Sequence, residues 1–208
     1  MNIREFYTFR SKLSSSTFQA HPISLNKEKN EHSEHYDQHM LILGNYQGIS
    51  FPVVFKQGYG EKLQDVLDTG WAGLYLISDK MKDILEDNNL IGWEAFSVKI
   101  LDKYKQEIQN YHGLSITGRC GPIDYSKSEI IEKRLVPNGP LVKYYKGMHI
   151  GLDKWDGSDF FIPEKDFDII ITQRVANILK ENKLTNIKLE NIANIEIDDY
   201  TVRVALQK

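Results

Sequence analysis

The apolar positions of this chain fall in short runs, and one arrangement of them occurs twice, 94 positions apart. Leu76-Ile77 ends an apolar strand, Ser78 follows as a hydroxyl able to cap a helix, and Met81, Ile84 and Leu85 recur at helical spacing. Asn88, Leu90 and Gly92 close the stretch. Ile170-Ile171, Thr172, Val175, Ile178, Leu179, Asn182, Leu184 and Asn186 repeat each of those roles in order. Five aligned positions are identical, which chance alone could supply. The persuasive point is the shared sequence of strand end, cap, apolar triplet, stop and turn. The expectation is a duplicated strand–helix–turn–strand unit over 74–100 and 167–197, each helix stopping at an Asn in the left-handed conformation.

Elsewhere the pattern is mostly that of strands. Residues 3–9 and 17–25 read as strands, and 26–38, almost wholly polar, reads as an exposed loop. Phe51-Pro52-Val53-Val54-Phe55 is a strand whose proline points to an edge or a first ladder position. Leu63, Val66 and Leu67, after Gly58 and Gly60, predict a short amphipathic helix over 61–68. Trp93, Phe96, Val98 and Ile100 suggest one strand with imperfect alternation, and the turn-rich stretch 111–165 a series of β-hairpins. Tyr200, Val202, Val204 and Leu206 alternate as in a half-buried strand. Strands outnumber short helices, so the fold class is α+β with a mainly antiparallel or mixed sheet. The chain divides into an N-terminal half, 1–110, and a C-terminal half, 111–208, each carrying one unit and either standing apart or sharing a single domain.

Composition narrows the class. Hydrophobic residues at 41% and charged residues at 26% are those of an ordinary globular protein. A formal charge of −3 leaves no basic surface for nucleic acid, and no apolar run is long enough to cross a bilayer. Met1-Asn2-Ile3-Arg4-Glu5-Phe6 lacks the apolar core of a secretory signal, and the single cysteine, Cys120, excludes an internal disulfide. A cytoplasmic protein without a cofactor is expected.

Candidate chemistry is sparse. His32, His35 and His39 would share one face of a helix and could hold zinc, but no apolar stripe fixes such a helix, and a solvated loop accounts for them. Cys120, beside Arg119 and with His112 or His149 as a possible base, could act as a nucleophile; a buried cysteine in a Gly-Pro turn is the plainer reading. Gly58-Tyr59-Gly60-Glu61-Lys62 lacks the rest of a phosphate loop and reads as a turn. Asp153-Lys154-Trp155-Asp156-Gly157-Ser158-Asp159 departs from calcium-loop spacing and reads as a turn at Asp156-Gly157.

The string Trp155-Asp156-Gly157-Ser158-Asp159-Phe160-Phe161, followed by Ile170-Ile171-Thr172-Gln173-Arg174-Val175 with Leu179, Leu184 and Asn186, resembles the C-terminal part of a family of bacterial immunity proteins. These accompany polymorphic and contact-dependent toxins. The resemblance covers about 153–190, with an echo at 61–92, and Asn186 stands where glycine is expected. It implies a non-enzymatic cytoplasmic neutraliser that occludes a cognate toxin. Aromatic anchors and acids that steer a basic partner would serve this, with Trp155, Asp156 and Asp159 as the partner-binding residues. The alternatives are an enzyme using Cys120 or a metal on the histidine cluster, and a small-ligand regulatory module with a pocket between the two units.

Overall fold

The computed structural model describes residues 2–12, 14–23, 25 and 37–206. In chain order these form β1 (Phe6–Ser11), β2 (Ala20–Pro22), α1 (Asp37–Ile42), β3 (Val53–Gln57), β4 (Val66–Asp68), β5 (Tyr75–Ser78), α2 (Asp79–Asp87), β6 (Trp93–Phe96), β7 (Val98–Leu101), β8 (Glu107–Ile108) and β9 (Tyr111–Ile116). There follow β10 (Gly118–Ile123), β11 (Glu129–Arg134), β12 (Leu141–Lys146), β13 (Ile150–Gly151), β14 (Phe160–Pro163), β15 (Ile170–Thr172), α3 (Gln173–Glu181), β16 (Ile187–Asn191), β17 (Glu196–Asp198) and α4 (Asp199–Leu206). The fold is α+β, with antiparallel and mixed sheets and short helices.

The two matched stretches take the same local form. Ser78 Oγ accepts from Met81 N and Thr172 Oγ1 from Val175 N, so each helix begins at a side-chain cap. Asn88 and Asn182 have φ of −90° and −82°, so neither is the left-handed residue; Asn89 and Lys183, one position later, are. The asparagines stop the helices differently, by donating their amides to Ile84 O at 2.8 Å and Ile178 O at 2.9 Å.

Pairing extends the likeness beyond the helices. One sheet runs β4-β5-β9-β6, and the six-stranded sheet contains β14-β15-β1-β16. Val66 faces Ile77 as Phe160 faces Ile171, and Tyr111 faces Ser78 as Phe6 faces Thr172. Trp93 faces Ile116 as Ile187 faces Ser11. In each array the strands flanking the helix are split by an antiparallel central strand drawn from elsewhere in the chain. That strand is β9 in the first array and β1, from the N-terminus, in the second.

Each central strand then leaves its own array. β9 continues through Thr117 into β10, which pairs parallel with β14. β1 continues to Thr17, which bridges to Lys62 just ahead of β4. The same core therefore gathers Phe9, Leu76, Ile77, Leu85, Leu114, Phe160, Ile171 and Leu179 from both arrays. A smaller core holds Phe6, Cys120, Met148, Phe161 and Ile170.

Several expectations are corrected. Residues 61–68 form no helix: Val66 and Leu67 are buried against β5 while Leu63 is exposed, a pattern set by pairing with Ile77 and Leu76. Residues 93–101 are two strands that belong to different sheets, which is why their alternation breaks at Ser97. β3 is not at an edge, since it lies between β2 and β7, and Pro52 precedes its first paired residue, Val53. The C-terminal alternation is a helix, α4. Asp198 accepts from Thr201 N and Oγ1, Arg203 pairs with Asp199 one turn away, and Val202 turns into the core.

Candidate functional site

The turn expected to contact a partner is built inward as much as outward. Asp156 is exposed, and its carboxylate accepts from Arg119 N at 2.8 Å and from Ser158 N at 2.9 Å. Burial pushes the Asp156 carboxyl up, but hydrogen bonds from Ser158 and Arg119 and the Arg119 charge outweigh it and hold the pKa below the ordinary value. Trp155 is half-buried, its ring edge-on to Phe6 at 5.6 Å and tilted against Phe161 at 5.6 Å. Trp155 Nε1 is buried with no hydrogen-bond partner among the described residues.

Asp159 is 7% exposed and works inside the fold. Its carboxylate accepts from Ile91 N at 3.2 Å, Thr172 Oγ1 at 3.1 Å and Arg174 Nη1 at 3.2 Å. It thereby ties the cap of α3 to the turn after α2. Asp65 makes the reciprocal tie: it accepts from Ser78 Oγ, the cap of α2, and from Thr185 N and Oγ1 in the turn after α3. Asn186, in place of the expected glycine, sits at φ +61°, which Asn tolerates, and its amide reaches Val66 O at 2.7 Å.

The remaining candidates are placed as follows. Cys120 is buried, which together with the charges of Asp156 and Asp166 pushes its thiol up to about 12. Arg119 does not activate it: the guanidinium donates to the carbonyls of Ile116, Gly118 and Leu43. His32 and His35 lie outside the described residues, and His39 stacks on Phe167 at 4.3 Å. At Gly58 a Cβ would meet the His21 ring at 2.6 Å, so this glycine allows a close approach.

Sequence reasoning missed a cleft of about 720 Å³ between the 165–169 segment, β1 and α4. Phe9, Tyr75, Tyr125, Phe167 and Tyr200 line it together with Arg10, Asp166 and Asp168. Arg10 Nη2 donates to Asp168 Oδ1 at 2.7 Å. Asp166 Oδ1 accepts from Phe167 N at 2.6 Å and Asp168 N at 2.7 Å. Burial lifts the Asp166 carboxyl above its ordinary pKa, and chiefly burial pushes Tyr75 and Tyr125 up to about 12, leaving them as neutral hydroxyls. The only sequence signal was Asp166-Phe167-Asp168, two acids around an aromatic. It carries no meaning until α4 closes the other wall. The arrangement suits recognition of a cationic group among aromatic faces.

Comparison with known proteins bears on this geometry. No curated protein matches the chain. The model of the Immunity protein family (Imm11) matches residues 6–194, which spans both arrays, the cleft walls up to Asn194 and the 153–159 turn. On that match over most of its length, the chain belongs to the Imm11 family of immunity proteins.

Proposed function

We propose that this protein neutralises a cognate bacterial toxin by binding it and covering its working surface, without chemistry of its own, in the cytoplasm. The observation that carries this is the family match over 6–194. The state of Cys120 supports the non-enzymatic part, because a buried thiol with a pKa of about 12 is not a nucleophile at neutral pH. Neither nucleic acid nor membrane has a part in this reading. Among the sequence-derived contact residues, Asp156 would meet the partner. Trp155 would support its turn from behind, and Asp159 would hold the frame.

The test is co-expression with the toxin domain encoded beside the gene. The expected result is restored growth and a stoichiometric complex on size exclusion. A toxin that stays lethal and elutes separately overturns the reading. The cleft favours a second reading, a small-ligand regulatory module. A metabolite that raises the melting temperature of the isolated protein in a thermal-shift screen would support it, because a ligand that binds only the folded state stabilises it.

A further inference from the structure

We infer that the cleft between the 165–169 segment and α4 receives a basic segment of the toxin, with a guanidinium or ammonium group seated against Asp166 among Tyr75, Tyr125 and Tyr200; this rests on the neutralisation reading. The cleft's volume of about 720 Å³ holds several side chains of a peptide rather than a single ion. Its charged wall comprises three carboxylates, Asp166, Asp168 and Glu196, against two cations, Arg10 and Lys165. Two of the carboxylates are already engaged, Asp168 with Arg10 and Glu196 with Lys133. Asp166 is different. One of its oxygens takes two backbone N–H groups, and among the described residues no cation pairs with the carboxylate. Burial outweighs the charge of Arg10, which Asp168 already holds, and a guanidinium seated against Asp166 would supply the remaining counter-charge.

The aromatic lining supplies the rest of such a site. Ring faces attract cations, and their attraction strengthens where water is excluded. At the mouth, Tyr200 is 77% exposed and Val204 37% exposed, although both stand on a helix whose Val202 is buried. An amphipathic segment with basic and aliphatic side chains would cover that rim while its cation reached Asp166. A carboxylate without an ion pair among the described residues, an aromatic floor and an apolar rim together specify the occupant as a basic peptide.

The test uses the intact protein in two arms. In the first, affinity for the toxin domain is measured for wild type, Asp166→Asn, Tyr200→Ala and the control Asp83→Asn on the exposed face of α2. Asp166→Asn and Tyr200→Ala are each expected to weaken the complex by about tenfold or more, with the control unchanged. In the second, tyrosine ring resonances are followed while acetyl-Arg-Leu-Arg-amide is added, with the neutral citrulline peptide as comparison. Saturable shifts of Tyr75, Tyr125 and Tyr200 with the arginine peptide alone, lost in Asp166→Asn, are expected. A toxin complex indifferent to both cleft substitutions overturns the inference and leaves neutralisation standing. If wild type binds no toxin, neutralisation fails. The cleft is then judged by the peptide, whose silence at roughly 10 mM overturns it too.

Discussion

Asp65 and Asp159 stand 94 positions apart and do the same work in mirrored directions. Each holds the cap residue of its own helix and the turn after the other helix. Replacing either with Ala removes the charged acceptor of a half-buried cap hydroxyl together with the tie to the other turn, so each change should lower stability by about 1–3 kcal/mol in urea unfolding. Asp83→Asn, on an exposed helix face, should stay within about 0.5 kcal/mol. Equal small losses at all three would show that the ties carry no weight. The acids also divide by sign of their pH effect. Asp156 is held below the ordinary carboxylate pKa, so its contribution is complete above the unfolded value and disappears as pH falls through the folded one. Asp166 is raised, so its ionisation opposes folding and that penalty is relieved as pH falls. Between about pH 6 and pH 2, Asp156→Asn should flatten the acid loss of stability and Asp166→Asn should steepen it. Curves for both variants parallel to wild type would refute these assignments.

At the scale of elements, what could be read from the chain was what neighbours in sequence decide. The caps of α2 and α3, their apolar triplets and their final residues rest on contacts within four positions, and each is found where the sequence put it. Ser78→Ala and Thr172→Ala should each cost about 0.5–2 kcal/mol, and a double substitution should show whether the Asp65 and Asp159 ties amplify that loss. The failures share a cause. Val66-Leu67 looked helical and Tyr200–Leu206 looked extended because both runs are short enough to satisfy either period, and contacts outside each run chose between them. For 66–68 the contacts are those with β5; for 199–206 they are the cap at Asp198 and the burial of Val202. The cleft was illegible for the same reason, since Arg10, Asp166 and Tyr200 come from three separated regions. The inward role of Asp159 was hidden because an acid in a Gly-Ser turn looks solvated, whereas its donors lie at Ile91 and Thr172.

For the molecule as a whole, the decisive feature is the exchange of central strands. A division between residues 110 and 111 would separate β9 from β5 and β6, which it joins, and β1 from β15 and β16. The ring of Phe9, packed 5.7 Å from Tyr75 in its own half, also meets Phe160 across the same boundary at 6.2 Å. Each half alone would expose the unpaired edges of three strands, β1, β5 and β6 in one and β9, β15 and β16 in the other, with the apolar faces they cover, a state prone to aggregate. Residues 1–110 and 111–208 expressed separately should therefore be insoluble or unfolded by circular dichroism. Co-expressed, they should assemble, because every strand then recovers its partner and only one connection, between β8 and β9, is missing. The intact chain should unfold in urea as a single transition seen alike by tryptophan fluorescence and circular dichroism. A soluble, cooperatively folded half, or two separate transitions in the whole, would mean that the arrays are independent and that the crossing strands do not bind them into one unit.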